Sequence, residues 1–352
     1  MTTFYLLIFL LTAVLSYVLT LVFRFLAFKV GAVDYPSERK IHKKPVARLG
    51  GLAIFMSFFV VVFSVLPVEK HLMGLFIGAL ILVCFGLLDD VFNINPFVKL
   101  FGQILAALAI ISFGIGIDYI ANPFGGIIYL DTWKIPIDLL GTTYHITVWS
   151  DLFTVFWVVV LINAVNFLDG LDGLASGVAG ISAVVVFLLS LSFGVSQPQT
   201  ALLALVLAGT AFGFLPLNFH PAKIFMGDSG SMFLGFMLAV LAVFSGGKVA
   251  TALLILGLPI LDVLWAVIRR VLAGKSPFRP DKKHLHHAFL RRGLTQRQTV
   301  LIIYVITFIF GMLALTSKTF YKLIALLSLA FLVIVLIVFL YFLDSKNQNA
   351  DI

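Results

Sequence analysis

Charge is scarce in this sequence: only 11% of the 352 residues are Asp, Glu, Lys or Arg, whereas a typical soluble domain has about a quarter. That scarcity excludes a soluble domain of ordinary composition. The chain has a single cysteine, Cys84, which excludes an internal disulfide framework and a metal site built from several thiolates. Apolar residues are abundant instead, at 61%, and they predict an all-α polytopic membrane protein.

Eleven apolar runs of about 17 to 24 residues are long enough to cross a bilayer as helices. They lie near residues 4–24, 49–66, 72–88, 99–116, 149–166, 174–193, 200–216, 230–245, 249–268, 299–315 and 323–342. With the N-terminus outside, the inner loops and the C-terminal tail contain 19 of the 24 Lys and Arg residues, as the positive-inside rule requires. We therefore expect about eleven transmembrane helices in a single integral membrane domain, residues 1–352, with the C-terminus cytoplasmic.

One long outer loop, residues 117–148, separates the fourth and fifth predicted spans. Within it, the segment 125–137 combines turn-forming glycines with alternating apolar residues. This pattern predicts a small outer-face β-hairpin that turns near Asp131 and Thr132. Pro136 confines its strand to an edge, because proline cannot donate a ladder hydrogen bond. Nothing in this loop indicates chemistry.

Four polar residues recur at three-residue steps at the end of the fifth predicted span: Asn163, Asn166, Asp169 and Asp172. On a helix, this spacing keeps side chains on one slowly drifting face, so the four groups can converge on one ligand. The glycines that follow, of which Gly170 is the first, allow the backbone to approach phosphate or sugar oxygens. The alternative is a helix end with ordinary capping residues and close packing against a neighbouring span.

Carboxylates also end the third predicted span and precede the eighth. Adjacent Asp89 and Asp90 repel each other at a membrane surface, so a divalent cation or a lysine is needed unless they form a solvated helix cap. Lys99, at the start of the next span, is placed to return to them. Asp228 lies directly before the eighth span, where capping explains it adequately. Capping does not explain the histidine, the lysine and the two glycines close to it in the sequence.

Basic residues gather in two inner loops. The first contains Lys44 and Arg48, which either form a phosphate-binding lip or only orient the chain in the membrane. The longest, residues 269–298, contains a histidine cluster followed by an arginine: His284, His286, His287 and Arg291. Zinc would need further ligands at suitable spacing, whereas imidazole and guanidinium groups suit a diphosphate. A solvated loop is the remaining alternative.

These unusual polar groups all fall on the predicted inner face. This placement favours an enzyme that joins a water-soluble phosphorylated substrate to a lipid. A lipid or nucleotide-sugar transporter is the alternative, although transporters more often place coupling carboxylates near the bilayer midplane on repeated, broken helices. One carboxylate, Asp262, lies within a predicted span, where a functional role and pairing with Arg269 are both open.

Four ordered motifs resemble those of the polyprenyl-phosphate N-acetylhexosamine-1-phosphate transferase family. They are Leu88-Asp89-Asp90, the stretch from Asn163 to Gly177, Phe225-Met-Gly-Asp-Ser-Gly-Ser231 and His284-Leu-His-His287. The resemblance extends over nearly the whole chain. The histidine motif and the eleven spans are similar to the undecaprenyl-phosphate GlcNAc-1-phosphate transferases, whereas the phospho-N-acetylmuramoyl-pentapeptide transferases show consecutive histidines and ten spans.

The resemblance implies transfer of GlcNAc-1-phosphate from UDP-GlcNAc to undecaprenyl phosphate, which gives undecaprenyl-diphosphate-GlcNAc and UMP. It implies Mg²⁺, or Mn²⁺, as cofactor and an active site on the cytoplasmic face of the cell inner (plasma) membrane. In such a family the reaction begins O-antigen, enterobacterial common antigen or teichoic acid synthesis. A muramoyl-pentapeptide or GalNAc donor and a homodimer stay open, and no nucleic acid partner is expected.

The resemblance also implies roles for individual residues. Catalytic carboxylates are implied at Asp89, Asp90 and Asp228, with Asp228 and Asn166 as metal ligands. Substrate contacts are implied at Lys99, Lys44 and Arg48 for phosphate, and at Asp169, Gly170 and Leu171 for uridine. They are also implied at Asn163, Asn166 and Asp172 along the cleft, and at His284, His286, His287 and Arg291 in a substrate-recognition loop, residues 269–298. The chain departs from the family pattern at Asn93, where a second lysine is expected after the acid pair.

Overall fold

The computed structural model describes residues 2–36, 44–139, 142–193, 195–245, 249–272, 274 and 285–348. Over these residues the chain is mostly helical, as the sequence predicts. The helices are α1 (Thr2–Val30), α2 (Gly50–Val65), α3 (Lys70–Phe92), α4 (Pro96–Ser112), α5 (Val148–Leu168), α6 (Leu174–Leu191), α7 (Pro198–Asn218), α8 (Gly227–Phe244), α9 (Val249–Ile255), α10 (Gly257–Leu272), α11 (Leu285–Arg291), α12 (Gln296–Thr316) and α13 (Thr319–Gln348). The strands are β1 (Val33–Asp34), β2 (Val46–Ala47), β3 (Tyr119–Ala121), β4 (Ile127–Tyr129), β5 (Lys134–Leu139) and β6 (Thr142–Thr147).

Each of the eleven apolar runs contains a helix, but the helices differ in length. Over the described residues, seven are long and apolar enough to cross a membrane, namely α1, α3, α5, α6, α7, α8 and α12. The pair α9 and α10 is an eighth candidate, and α2, α4 and the segment Thr319–Val335 of α13 are shorter apolar helices. The structure therefore confirms a helical multi-pass membrane protein. The count of eleven spans and the orientation of the termini stay predictions.

The eighth candidate is bent by 80° between α9 and α10, and the bend has a local cause. α9 ends at Ile255 and α10 begins at Gly257. Pro259 has no backbone N–H to donate to the Ile255 carbonyl four residues earlier, so the helical hydrogen-bond series is interrupted there.

Helix α8 lies at the centre of the bundle and is buried along almost its whole length. Its Gly235 lets α5 approach closely, because a Cβ there would lie 2.7 Å from Ile162 Cα. Phe233 packs edge-on against Phe58 of α2, with ring centroids 5.7 Å apart. This central packing fixes where α8 begins, and therefore where its first acidic residue, Asp228, lies.

The predicted outer loop contains two hairpins instead of one. β3 pairs with β4, and β5 pairs with β6, both antiparallel. The predicted turn at Asp131 and Thr132 connects the two hairpins instead, because Gly125 and Gly126, with φ angles of 120° and 81°, supply the turn of the first one. Pro136 lies in β5, which is an edge strand because its sheet has two strands.

Candidate active site

Four helix ends meet where the sequence predicts the inner face. The C-terminal turn of α3 contains Asp89 and Asp90, the first turn of α4 contains Lys99, and the first turn of α8 contains Asp228. Arg48 lies two residues before α2 begins and reaches the same group. We call these five residues the charged cluster. The structure thus brings together predicted site residues from four separate segments.

Both carboxylate oxygens of Asp90 are bonded to neighbouring groups. The backbone N–H groups of Asp228 and Ser229 donate to Oδ1 and Oδ2 at 2.8 and 3.2 Å, and Ser229 Oγ donates to Oδ2 at 2.8 Å. Arg48 Nε lies 3.1 Å from Oδ1. Asp90 therefore caps the N-terminus of α8 from a different helix, where a negative charge is stabilised by the exposed N–H groups. Its side chain is only 2% exposed, which leaves little of it for a substrate.

Glycines make this capping geometry possible. Gly227 has a φ of +68°, and a Cβ on it would lie 2.4 Å from a carboxylate oxygen of Asp90. Cβ atoms on Gly86 and Gly51 would lie 2.4 Å from Ser229 Cα and 2.3 Å from Ser229 Oγ. The close approach at Gly51 therefore serves the packing of α2 against α8.

Lys99 is the cation that the paired acids are predicted to need. Its Nζ lies 3.0 Å from Asp89 Oδ2 and also donates to Asp228 Oδ2. Lys99 thus bridges the end of α3 and the start of α8. The side chains of Asp89 and Lys99 are 11% and 21% exposed, so this pair is more accessible than Asp90.

Asn93, which stands where the family pattern has a second lysine, ends α3. Its φ of 48° is left-handed, and its backbone N–H donates to the carbonyl of Asp89 at 2.9 Å. Asparagine adopts this conformation more readily than lysine does. The departure from the family pattern therefore has a local structural reason.

Asp169 follows α5 directly and lies beside the charged cluster. Burial raises the pKa of its carboxyl well above the ordinary value, the Asp228 and Asp90 carboxylates raise that pKa further, and Arg48 opposes them. Several carboxylates therefore share one region of low polarity. Carboxylates crowded in this way hold a proton or recruit a cation.

The two asparagines of α5 contact α4 and α8. Asn163 exchanges hydrogen bonds of 2.7 and 3.4 Å with Gln103. The amide nitrogen of Asn166 donates to Ser231 Oγ at 2.9 Å. Because the nitrogen makes that bond, the amide oxygen of Asn166 is the atom that a cation would take.

The chain is similar to known proteins over most of its length. The family described as "Glycosyl transferase family 4" matches residues 72–246, a range that contains four of the five residues of the charged cluster. A "Probable undecaprenyl-phosphate N-acetylglucosaminyl 1-phosphate transferase" of Bacillus subtilis (strain 168) is 35% identical over 309 residues, which are 86% of this chain and 82% of the relative. The chain belongs to glycosyl transferase family 4.

Two further family 4 relatives cover similar shares of the chain. A "Decaprenyl-phosphate N-acetylglucosaminephosphotransferase" of Mycobacterium tuberculosis is 36% identical over 324 residues, 83% of this chain and 77% of the relative. An "Undecaprenyl-phosphate alpha-N-acetylglucosaminyl 1-phosphate transferase" of Thermotoga maritima is 30% identical over 310 residues, 88% of this chain and 90% of the relative.

In this family 4 protein, the four polar side chains at positions 163, 166, 169 and 172 do not all converge as the sequence predicted. α5 ends at Leu168, so the helical spacing does not extend to Asp172. Asp172 Oδ2 instead lies 2.7 Å from His220 Nδ1 and accepts a hydrogen bond of 3.1 Å from the backbone N–H of Ala222. The sequence pattern predicted one shared face, and the end of the helix is the reason that Asp172 points elsewhere.

For the remaining predicted contact residues that it describes, the structure gives their exposure or burial. Gly170 is exposed, and Leu171 beside it is buried. Lys44 and Arg291 are also exposed. His284 lies outside the described residues, and the side chains of His286 and His287 in α11 do as well. Their roles in recognition stay predictions.

Three residues of the site were given no role by the sequence. Gln103 lies four residues after Lys99, one turn along the same face of α4, so helical spacing could have found it. Ser229 and Ser231 lie within the quoted motif around Asp228. Nothing in the sequence indicated that Ser229 bonds to Asp90 or that Ser231 bonds to Asn166, since both contacts join distant segments.

The donor set of the site fits a hard divalent cation. Among the described residues, no group of three or more His, Cys, Asp or Glu side chains is arranged to hold a metal ion by itself. Mg²⁺, however, is usually held by one or two carboxylates together with substrate phosphates and water. Asp228 at the start of α8, and the amide oxygen of Asn166 in α5, whose nitrogen bonds to Ser231 of α8, are oxygen donors of this kind.

A cavity of about 460 Å³ lies away from the charged cluster. It is lined by the end of α2, the start of α3, the start of α7 and the end of α8, including Glu69, His71 and Phe244. α3 and α8 run from one site to the other, so the cavity is at the opposite end of the bundle. It takes no part in the geometry described above.

Proposed function

We propose that this protein transfers GlcNAc-1-phosphate from UDP-GlcNAc to undecaprenyl phosphate, which gives undecaprenyl-diphosphate-GlcNAc and UMP. The observation that carries the proposal is the charged cluster, where three carboxylates and two cationic side chains meet at the ends of membrane-length helices. The names of the family 4 relatives support the sugar and the lipid class. Decaprenyl phosphate is the lipid named for the mycobacterial relatives, so the test below also compares the two lengths of polyprenyl chain.

The site lies on the cytoplasmic face of the plasma membrane in this proposal. Nucleotide sugars are soluble, so the donor reaches the cluster from water, while the lipid phosphate reaches it along the membrane surface. The basic residues of the predicted inner loops would attract both anions there. This orientation follows the distribution of Lys and Arg along the sequence.

The reaction is a phosphoryl transfer between two anions. An oxygen of the lipid phosphate attacks the β-phosphorus of UDP-GlcNAc in line. The bond from that phosphorus to the bridging oxygen breaks, and UMP leaves with this oxygen. The main barrier is repulsion between the two anions, so catalysis depends on neutralising charge and on alignment.

The residues of the charged cluster divide this work. Lys99, which contacts both Asp89 and Asp228, would neutralise phosphate oxygens, while Asp89 beside it would orient or deprotonate the lipid phosphate. Arg48 and Asp90 would hold the start of α8 in place, because Asp90 accepts from the N–H groups of α8 and Arg48 pairs with Asp90. Asp169 and the residues after it would bind the uridine, and the residues of 269–298 would recognise the sugar diphosphate.

Mg²⁺ would be held by Asp228 and the amide oxygen of Asn166. When bound, Mg²⁺ or Mn²⁺ supplies positive charge to the diphosphate and so stabilises the charge that develops on UMP. The crowding of Asp228 with Asp169 and Asp90 supports such a site, because a cation would relieve their repulsion.

The test uses the purified protein in detergent with magnesium, undecaprenyl phosphate and UDP-GlcNAc. UMP and the lipid product should form in equal amounts. UDP-GalNAc, UDP-MurNAc-pentapeptide and decaprenyl phosphate are run in parallel, and a preference for one of them would keep the chemistry and change the substrate. If no UMP is released with any donor, the transferase proposal fails and a transporter is the better explanation.

The direct attack is tested separately. The protein is incubated with labelled UMP and UDP-GlcNAc without any lipid acceptor. Direct transfer predicts that no label enters UDP-GlcNAc. Exchange of label would contradict it and would support a covalent intermediate on a carboxylate, for which Asp89 and Asp228 are more exposed candidates than Asp90.

A further inference from the structure

The segment between α7 and α8, residues 219–226, leads directly into the charged cluster. Its last part is held against β2 and the start of α2 by backbone hydrogen bonds. Phe225 N–H donates to the carbonyl of Ala47 at 2.8 Å, and Gly50 N–H donates to the carbonyl of Phe225 at 3.0 Å. Asp228 follows three residues after Phe225. The conformation of the segment therefore sets the position of Asp228.

The first part of the segment is held by two other regions of the chain through His220. The His220 ring nitrogen Nδ1 lies 2.7 Å from Asp172 Oδ2, in the turn after α5. The backbone carbonyl of His220 accepts a hydrogen bond of 2.9 Å from Arg297 Nε, at the start of α12. Asp172 also accepts from the N–H of Ala222 with the same oxygen, at 3.1 Å. His220 is thus the common member of a bridge from Asp172 to Arg297.

The face of α12 that carries Arg297 makes a second contact with the same region. Tyr304 is seven residues after Arg297, which is two helical turns, so both side chains lie on one face. Its hydroxyl donates to the carbonyl of Gly173, next to Asp172. α12 therefore touches both the turn after α5 and the segment 219–226.

α12 is also firmly joined to the candidate recognition helix α11. Gly293 ends α11 with a φ of +83°, and its N–H donates to the carbonyl of Leu290 at 3.0 Å. Thr295 then begins α12 with a capping box formed with Gln298. Two well-formed helix ends leave a short, ordered connection between α11 and Arg297.

We infer that His220 and Arg297 are positioning residues, which hold segment 219–226, and through it Asp228, in register with the turn after α5 and with α12. This inference rests on the proposed transferase function and adds two residues to which that function assigns no role. Neither residue touches the charged cluster. Both act through the backbone that leads into it, so their loss should change the alignment of the reacting groups more than the binding of the lipid.

The test compares matched variants of the full-length protein. His220→Ala removes the ring contact with Asp172 and keeps the backbone carbonyl that accepts from Arg297, whereas His220→Asn keeps a donor close to the position of Nδ1. Arg297→Lys keeps the charge and loses the directional Nε–H. We expect His220→Ala to lower kcat about 10- to 100-fold, because small displacements of reacting groups have effects of this size. The KM for undecaprenyl phosphate should stay unchanged, because the variant loses alignment and keeps ground-state binding.

The conservative variants show whether a lower kcat comes from lost positioning or from lower stability of the whole protein. His220→Asn should recover most of the kcat, and Arg297→Lys should lower kcat about fivefold or more, with the wild-type thermal unfolding midpoint in both. Wild-type kcat in His220→Ala and Arg297→Lys would overturn the inference. So would a loss of kcat in His220→Asn equal to that in His220→Ala, with a matching fall in the unfolding midpoint. Failure of the proposed function would look different, since the wild-type protein itself would then release no UMP.

Discussion

The two ends of the helices α3 and α8 are packed in different ways. At one end, Gly86 of α3 lies so close to α8 that a Cβ would meet Ser229 Cα at 2.4 Å, and Asp90 accepts three hydrogen bonds. At the other end, the same helices border a cavity of about 460 Å³ lined by Leu72 and Phe244 among others. Apolar packing alone would not produce this contrast. At the first end, the close contact is with the backbone of α8 and holds charged groups in place, as a preorganised site requires.

The largest effect is expected for Asp228→Asn. This change keeps the shape of the side chain and removes the charge that bonds to Lys99 and that would hold the cation. We expect UMP release to fall about 10³-fold at saturating magnesium, since losing one group that stabilises the transition state costs up to this much. The measurement is UMP release, with size-exclusion chromatography to verify folding.

Asp151→Asn is the matched control at the other end of the bundle. Asp151 accepts a hydrogen bond of 2.9 Å from the N–H of Thr147, and an asparagine oxygen can accept the same bond. Activity should stay near the wild-type value. A well-folded Asp228→Asn protein with near-normal turnover would remove Asp228 from the chemistry.

The second prediction separates two adjacent residues. Asp89→Asn should lower activity about 10²-fold with a smaller change in stability, because Asp89 pairs with Lys99 and is more exposed than Asp90. Asp90→Asn should instead lower the free energy of unfolding by about 1–3 kcal/mol, since an amide turned toward the N–H groups of α8 leaves buried donors unsatisfied. The measurements are thermal unfolding and UMP release on both proteins.

Equal losses of stability in the two variants would contradict the division of roles. It would mean that the burial of Asp90 does not distinguish it from its neighbour. An Asp90→Asn protein of wild-type stability but without activity would return Asp90 to a direct catalytic role.

The third prediction tests the close packing itself. Gly86→Ala should lower the free energy of unfolding by about 1–3 kcal/mol, because the added Cβ meets the backbone of Ser229 and forces α3 and α8 apart. Activity should fall about tenfold for the same reason. Gly116→Ala is the control, since its nearest neighbour is the side-chain oxygen of Ser150 at 3.3 Å. An equal loss of stability in the control would show that replacing any glycine by alanine destabilises the protein, and that the contact with Ser229 is not the cause.

Local patterns in the sequence predicted most of the fold and part of the site. Apolar runs predicted all eleven helical segments, because helix formation in these runs depends on neighbouring residues alone. The need of the acid pair for a cation predicted the return of Lys99, since burying charge has a cost wherever the fold places it. The same reasoning predicted that unusual polar groups gather on one face.

Contacts between distant segments were beyond this reasoning. The sequence offered no sign that Asp90 would cap α8 or that Asp172 would turn away from the charged cluster to His220. Both results depend on where one helix ends relative to another, and helix ends are set by a few residues and by tertiary contacts. The single predicted hairpin was wrong for a similar reason, because two candidate turns lay six residues apart and the positive φ angles of Gly125 and Gly126 decided between them.

The smallest effect is expected at the cavity end, where Glu69→Gln should leave UMP release and lipid product within about twofold of wild type, as for most exposed substitutions. Glu69 is exposed at the cavity rim, at the start of α3, while the transfer chemistry is assigned to the other end of the same helix. If Glu69→Gln instead lowers turnover as strongly as Gly86→Ala does, α3 carries an effect along its length, and the two ends do not act independently. An unchanged rate would support the difference between the two ends. The cavity end could then change without moving the charged groups that are held closely at the opposite end.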